Sequence, residues 1–114
     1  MRGQQRFPAR RDAKRVDIAQ VQMPAIVTGK PAQIAVQVTG KGTLGLKWVL
    51  MDTSAETLVQ AGEAQPGPGG SFRISLDAQT MARVKPGLYK LSLAGYSDAL
   101  ISLSERDVDF RVGA

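Results

Sequence analysis

The sequence predicts an all-β domain in which antiparallel strands form two sheets packed face to face. The chain has 114 residues, a common size for one domain. From residue 14 onward, short segments alternate apolar and polar residues, as strands with one buried and one solvated face do. Turn-forming residues interrupt these segments at intervals of about ten residues, and this spacing is typical of β-sandwiches.

Composition limits the function before any motif is considered. The chain contains no Cys and no His. Without Cys, it can form neither disulfides nor thiolate zinc sites. Without His, it lacks the commonest general base near neutral pH and the commonest metal ligand. We therefore predict a protein that is not an enzyme, with no catalytic residues, no cofactor and no metal site.

Positive charge is concentrated at the N-terminus. Residues 1–17 carry six basic and two acidic side chains, and therefore hold +4 of the net charge of +5. We interpret residues 1–13 as a basic linker or tail and residues 14–114 as the sandwich. Phe7 is the one aromatic residue of this arm, so a stacking platform for nucleic acid is not expected. The apolar runs are too short for a membrane span or a signal peptide.

Seven strands are predicted, and their inward faces define the expected core. The predicted strands are residues 14–23, 32–39, 44–51, 58–64, 71–76, 88–94 and 106–112. The expected structural core residues are Val36, Trp48, Phe72, Tyr89, Leu91 and Phe110. Val16 and Ile18 of the first strand share one face while Val21 and Met23 share the other, which predicts a mid-strand phase switch or a β-bulge. Residues 65–70, rich in Pro and Gly, predict a loop, and residues 77–84 predict one or two helical turns with Asp77 as N-cap.

Two aromatic residues narrow the fold class. Trp48 lies in the third strand, where immunoglobulin domains carry a core tryptophan, and we interpret it as core rather than as an exposed ligand platform. Tyr89 follows Pro86 and Gly87 at the start of the sixth strand. This position predicts a tyrosine corner, in which the hydroxyl bonds to the upstream backbone. The fold class is therefore a seven-stranded antiparallel immunoglobulin/fibronectin-III-like sandwich with a basic N-terminal tail.

Three further patterns favour structural interpretations. Residues 40–45 match G-x-G-x-x-G, but a dinucleotide site needs a helix there and residues 46–50 alternate as a strand. Asp107 and Asp109 alternate with apolar residues, which favours a solvated face over a calcium site that would also use Asp98 and Glu105. Three serines lie near the last strand, but no His activates them as nucleophiles. These are Ser97, Ser102 and Ser104.

Four segments of the chain resemble a known family. They are residues 48–52 (WVLMD), 60–64 (QAGEA), 70–76 (GSFRISL) and 84–93 (VKPGLYKLSL). With the strand order over residues 14–112, they resemble the immunoglobulin-like module near the C-terminus of prokaryotic extracellular, oligopeptide-type solute-binding proteins of ABC transporters. The solute-binding lobes of that family are absent from this chain, so no ligand residue is carried over. The resemblance implies an accessory domain outside the membrane with no chemistry of its own.

We therefore expect a non-catalytic spacer or docking domain of an extracytoplasmic transport or cell-surface protein. Its expected partner is a protein or its parent polypeptide, with no specific nucleic acid and no membrane insertion. An extracytoplasmic location is expected if the chain belongs to a larger secreted protein. The alternatives are a self-assembling subunit of the virion-decoration or surface-layer type, and a carbohydrate-binding module that uses Trp48 or Tyr96. The sequence leaves open the partner, the oligomeric state, the role of the arm and whether the chain is a fragment.

Overall fold

The computed structural model describes residues 15–99 and 103–114, so the predicted tail at residues 1–13 lies outside the described residues. Most of the described residues lie in strands. In chain order these are β1 (Asp17–Gln22), β2 (Ile26–Val27), β3 (Ala32–Thr39), β4 (Leu44–Asp52), β5 (Thr57–Glu63), β6 (Gln65–Pro66), β7 (Ser71–Leu76), β8 (Gly87–Ser97) and β9 (Ser104–Gly113). A 3₁₀ turn spans Pro68–Gly70, and the helix α1 spans Ala78–Met81.

The strands form two sheets with immunoglobulin-like order. The smaller sheet has the order β1-β3-β7-β6, and the larger sheet has the order β2-β9-β8-β4-β5. In the described residues every strand pair is antiparallel except β2–β9, which is parallel. Strand β5 extends the larger sheet beyond β4, at the position where variable-type immunoglobulin domains carry their additional strands. The predicted sandwich class is confirmed.

Alternation along the strands explains the core. On β3, Ile34, Val36 and Val38 are buried while Gln33 and Ala35 are exposed, because successive side chains of a strand point to opposite faces. The same alternation on β4, β7 and β8 supplies the other inward side chains. Burying each large aliphatic side chain contributes about 1.5–3 kcal/mol. The apolar sets of both sheets therefore hold the sandwich together.

Five of the six residues expected in the core are buried, and the sixth lies at its border. The buried five are Val36, Trp48, Phe72, Tyr89 and Leu91. Phe110 is half-buried and packs against the core cluster, with its ring centroid 6.1 Å from that of Tyr89. Among the described residues, its strand β9 has a full-length neighbour, β8, on one side only.

Several element boundaries differ from the sequence prediction. Residues 65–70, predicted as a loop, contain strand β6 and the 3₁₀ turn, which the Ser71 hydroxyl closes by donating to the Pro68 carbonyl at 2.8 Å. Strand β2 was not predicted, because its two residues pair only through the tertiary fold. The prediction of one or two helical turns within residues 77–84 is confirmed, since α1 forms one turn at Ala78–Met81. Its predicted N-cap is confirmed, since the Asp77 carboxylate accepts the Thr80 N–H at 2.8 Å.

The predicted β-bulge is confirmed. The register between β1 and β3 shifts between Ile18 and Gln20, so Ala19 is the extra residue. The sixth predicted strand ends too early, because β8 continues to Ser97 rather than stopping at Ala94. Glycine at position 95 weakens the strand pattern in the sequence, but the pairing with β4 continues past it.

Candidate functional site

The outward side of the larger sheet carries the most distinctive surface of the described residues. Antiparallel register arranges its side chains in rows across β4, β8 and β9. One row contains Val49, Ser92 and Asp107. The neighbouring row contains Lys47, Ala94 and Glu105. We call these six residues the groove residues.

The groove residues surround a shallow depression of about 430 Å³. Its depth has a simple cause: Ser92 and Ala94 on the central strand are small, while the residues opposite them on β4 and β9 are longer. Lys47 stands on one wall, and Glu105 and Asp107 stand on the other, where Arg106 of the same strand also lines the depression. The groove therefore has one cationic wall and one anionic wall, separated by the width of strand β8.

An apolar border flanks the groove on β4 and β5. Met51 lies opposite Leu58, and Val49 lies opposite Ala61. A register shift between Leu50 and Met51 produces this pairing and turns Leu58 outward, where 62% of it is exposed. An exposed leucine beside a half-buried methionine forms an apolar contact area at the edge of the sheet.

Tyr96 lies opposite Gly45, in the row of the sheet next to the groove. Its ring lies over Gly45, where an added Cβ would come within 2.2 Å of the ring carbon Cζ. Its hydroxyl donates to the Glu63 carboxylate at 3.0 Å, and the Lys47 ammonium lies 5.7 Å from the ring centroid. The hydrogen bond to Glu63 raises the pKa of Tyr96, so the phenol stays protonated. Tyr96 therefore connects three strands and is held in place by its neighbours.

The free edge of β5 is partly covered by a side chain from another part of the chain. The Arg83 guanidinium donates to the Val59 carbonyl at 2.9 Å and to the Gln60 side-chain oxygen at 2.7 Å. A backbone carbonyl that already accepts this hydrogen bond is no longer available to pair with a strand of another molecule. This edge is therefore less open than its exposed position suggests.

The four carboxylates discussed for a metal site do not converge. Glu105, Asp107 and Asp109 occupy alternate outward positions on β9, whereas the Asp98 carboxylate accepts the Thr43 N–H at 2.8 Å. In residues 15–99 and 103–114, no three acidic side chains form a group that could hold a metal ion. The carboxylates on β9 act as a charged strand face.

The serines and the glycine string have structural positions. The Ser97 hydroxyl donates to the Lys41 carbonyl and accepts the Ala99 N–H, so it closes the turn before β4. Ser104 is half-buried at the start of β9, and Ser102 lies outside the described residues. Residues 40–45 lead into strand β4 and not into a helix. The string therefore lacks the helix N-terminus on which a dinucleotide pyrophosphate would rest.

The two aromatic residues considered for carbohydrate binding are not free platforms. Trp48 is 6% exposed and belongs to the core cluster. Tyr96 is half-buried, lies against Gly45 and is anchored by Glu63. A sugar ring stacks on an open aromatic face, which the buried Trp48 does not present.

Comparisons with known proteins agree with the fold. No family model and no curated protein matches the chain. An engineered protein of known structure is similar with a TM-score of 0.54 and 17% identity over 87% of this chain. A 1.5-MDa bacterial ice-binding adhesin, studied for host cell surface retention, gives a TM-score of 0.48 and 13% identity over 87% of this chain. The first immunoglobulin domain of Dpr1, solved bound to that of DIP-eta, gives a TM-score of 0.40 and 10% identity over 82% of this chain.

The likeness to the engineered protein concerns the fold alone and leaves the role of the chain open. The chain spans 19% of the engineered protein, 31% of the adhesin chain and 92% of the Dpr1 domain. None of these three proteins is named as a solute-binding protein of an ABC transporter. What is shown is an immunoglobulin-like β-sandwich. Within the described residues, no helix is long and apolar enough to cross a membrane.

Sequence reasoning did not find the groove. It identified the acidic residues of β9. It did not identify Lys47 and Val49 on the facing wall, nor the small residues of β8 that lie between the two walls. One signal was present: Ser92 and Ala94 are small outward residues on a strand whose inward residues are large. The register across three strands, which makes that signal meaningful, becomes known only from the structure.

Proposed function

We propose that this domain is a non-catalytic docking module of an extracytoplasmic transport or cell-surface protein, and that the groove binds a protein partner. The observation that carries the proposal is that the two walls of the groove have opposite charge. Lys47 faces Glu105 and Asp107 across Ala94 and Ser92. Charges of both signs at fixed positions set the orientation of a partner and exclude partners with the wrong pattern.

The apolar border supplies contact area beside these charges. Leu58 is 62% exposed, and Met51 lies directly opposite it. Protein interfaces commonly combine an apolar centre with a polar rim, and small pockets between strands receive anchoring side chains. A partner that contacts both Leu58 and the groove would bury apolar surface and pair with charges in one interface.

The non-catalytic part of the proposal rests on side-chain chemistry. The sequence offers no His or Cys, and the Ser97 hydroxyl is engaged by the Lys41 carbonyl. The setting outside the membrane rests on the sequence resemblance to the accessory module of solute-binding proteins. In that setting the domain would connect or position its parent polypeptide while the groove holds a second protein.

Site-specific photocrosslinking in the native cell tests the proposal. A photoreactive residue at Ser92 lies in the groove, and the same residue at Ser75, on the outward face of β7, is the matched control. We expect one discrete protein adduct from position 92, none from position 75, and loss of the adduct when Asp107→Lys is added. Equal adducts from both faces, or none from position 92, would contradict the proposal.

A second candidate is a self-assembling subunit, and the exposed Leu58 favours it. An apolar side chain at a sheet edge can meet its own copy across a two-fold axis. Sedimentation velocity over a concentration series tests this candidate. Association should weaken in Leu58→Lys but not in Leu103→Lys, which changes a similarly exposed leucine elsewhere. A strict monomer at high concentration would exclude it.

A further inference from the structure

The outward side of the smaller sheet is almost free of charge. The strands of this sheet contain two charged residues, Asp17 on β1 and Arg73 on β7. Two neighbouring rows of side chains cross the sheet: Gln20, Gln37 and Ser71 form one row, and Gln22, Ala35, Arg73 and Gln65 form the other. We call the six polar residues of these rows the amide cleft.

The amide cleft contains two adjoining depressions of about 190 and 210 Å³. Ala35 and Ser71 line both depressions, which therefore meet near the centre of the sheet. The surface is low there because the Ala35 methyl group lies between the longer side chains of Gln22 and Arg73. The longer row crosses four strands, and at a strand spacing of about 4.8 Å it extends for about 14 Å. This length suits a short extended ligand.

The 3₁₀ turn at Pro68–Gly70 fixes the side-chain amide of Gln37. Its nitrogen Nε2 donates to the Gly69 carbonyl at 2.7 Å and to the Val38 carbonyl at 3.5 Å. A carbonyl accepts only from the nitrogen end of an amide, so the oxygen Oε1 is the end left for a ligand. Gly70 is required in this turn, since its φ is +80° and an added Cβ would lie 2.2 Å from the Val38 carbonyl oxygen.

The Ser71 hydroxyl is committed in the same way. It donates to the Pro68 carbonyl, so towards a ligand it can only accept. Ser71 lies beside Gln37 in one row, and the two residues therefore supply neighbouring acceptors. Within residues 15–99 and 103–114, the side-chain amides of Gln20, Gln22 and Gln65 have no hydrogen-bond partner. A ligand with several hydroxyl groups can satisfy all of these side chains, because a hydroxyl both donates and accepts.

Arg73 is the cation of the amide cleft. Its side chain is exposed, and no residue in the described part of the chain forms an ion pair or hydrogen bond with its guanidinium. Asp17 lies opposite Thr39, which is four residues along β3 from Ala35 and therefore about 13 Å from the row of Arg73. Among the described residues, no acidic side chain lines either depression. The guanidinium can therefore bind a carboxylate of a ligand through two parallel N–H donors.

The exposed apolar lining of the amide cleft is small. It consists of Ala35, Pro66 and Pro68, whereas Val36 and Phe72, which also line the depressions, are buried. Protein partners are anchored mainly by large side chains that pack into desolvated pockets, and this lining forms no such pocket. An oligosaccharide instead carries hydroxyl groups along its whole length. The lining therefore favours a saccharide over a peptide.

We propose that the amide cleft binds an acidic oligosaccharide. Its carboxylate pairs with the Arg73 guanidinium, and its hydroxyl groups donate to Gln37 Oε1 and Ser71 Oγ. Because the aromatic ring that lines the cleft, Phe72, is buried, affinity depends on hydrogen bonds and one ion pair, and we expect a dissociation constant on the order of 1 mM. The amide cleft and the groove lie on different sheets, and the inference stands independently of the proposed function.

An NMR titration of the full chain tests the proposal. The probe is trigalacturonate, a trimer of a sugar acid, and the neutral trisaccharide maltotriose is the comparison. We expect trigalacturonate to cause saturable shifts in the backbone amides of β1, β3 and β7 and in the side-chain amides of Gln20, Gln22 and Gln37. Maltotriose should bind about tenfold more weakly, because it lacks the carboxylate. Shifts that are absent, or that spread over both sheets, would overturn the proposal, and so would equal binding of the two trisaccharides.

Two matched pairs of variants locate the site. Arg73→Ala should weaken trigalacturonate binding about tenfold, whereas Arg111→Ala removes an exposed arginine of the larger sheet and should leave binding unchanged. Gln37→Ala should weaken binding about fivefold, whereas Gln33→Ala, on the same strand but outside the amide cleft, should not. None of the four side chains is buried, so we expect all four variants to fold. Equal losses within either pair would overturn the proposal.

A peptide probe separates the sugar from its carboxylate. Acetyl-triglutamate amide carries as many carboxylates as trigalacturonate but no hydroxyl groups. We expect it to bind about tenfold more weakly, because Gln37 Oε1 and Ser71 Oγ then lose their hydroxyl donors. Equal affinity of the peptide, with shifts in the same amides, would assign the amide cleft to acidic peptides and overturn the saccharide proposal.

Discussion

The Tyr89 hydroxyl bonds to both backbone groups of Lys85. It donates to the Lys85 carbonyl at 2.8 Å and accepts the Lys85 N–H at 2.9 Å, across the turn that leads into β8. Burial raises the pKa of Tyr89, so the hydroxyl keeps the proton that it donates. These two bonds are the predicted tyrosine corner, and they fix the crossover from one sheet to the other.

Removing the Tyr89 hydroxyl should destabilise the fold. Tyr89→Phe leaves two backbone groups of Lys85 without their partner, and we expect a loss of about 1–3 kcal/mol in the free energy of unfolding, measured by urea denaturation. Tyr96→Phe is the matched control, since its hydroxyl bonds to Glu63 at the surface. Its cost should stay below about 1 kcal/mol. Equal costs at the two positions would show that the corner is not a stabilising element.

Gly45 should not tolerate a side chain while Tyr96 is present. A Cβ at position 45 would lie 2.2 Å from the Tyr96 ring, so Gly45→Ala must displace the ring and should cost about 1–3 kcal/mol. Tyr96→Ala should reduce that cost in a double-mutant cycle. Gly113→Ala, whose Cβ meets no atom closer than 3.9 Å, should change stability by less than about 0.5 kcal/mol. Additive effects of the Gly45 and Tyr96 changes would contradict the steric explanation.

Neighbouring residues on β8 should differ sharply in their contribution to stability. Leu91 is fully buried, so Leu91→Ala should leave a cavity and cost about 2–5 kcal/mol in thermal or urea unfolding. Lys90 faces outward opposite Asp109, so Lys90→Ala should cost less than about 0.5 kcal/mol. Similar costs at the two positions would mean that the alternation of β8 does not determine its burial.

The N-cap of α1 should make stability depend on pH in acid. The backbone N–H of Thr80, with its side chain as a further contributor, holds the pKa of Asp77 below its ordinary value. A carboxyl whose pKa is lower in the folded chain stabilises the fold above its unfolded pKa, about 3.9, and this contribution is lost as pH falls through the folded pKa.

Thermal unfolding of three proteins across this pH range checks the prediction. The Tm of Asp77→Ala should lie below that of the wild type near neutral pH, and the gap should close in strong acid. Asp77→Asn keeps a capping oxygen but cannot titrate, so its Tm should stay nearer to the wild type at neutral pH. A gap for Asp77→Ala that is constant with pH would exclude the capping carboxylate as its cause.

The sequence predicted those parts of the fold that depend on local alternation. Strands β3, β4 and β7 were located closely, because each alternates inward apolar with outward polar residues. Pairings set by the rest of the fold were missed. β2 and β6 have two residues each, too few to show a period. The helical turn after Asp77 was located correctly, because its N-cap is a local signal in the sequence, and α1 spans Ala78–Met81.

The candidate site depended on information that one strand does not contain. Asp107 and Asp109 were correctly placed on an outward face from alternation alone. That Ser92 lies between Asp107 and Val49 is a fact of register across three strands. The orientation of Leu58 depends on a bulge between β4 and β5, and nothing in the sequence around residue 58 signals it.

The parallel pairing of β2 with β9 determines how the domain would respond to mechanical tension. β2 lies near the N-terminal end of the sandwich and β9 at its C-terminal end, and they are joined at Ile26–Val112 and Val27–Gly113, with a further bond from the Thr28 N–H to the Gly113 carbonyl. Pulling the two ends of the chain apart slides these parallel strands past each other, so the bonds between them are loaded together and not opened one after another. A force sensor attached to both ends would therefore record the separation of β2 from β9 as a single step.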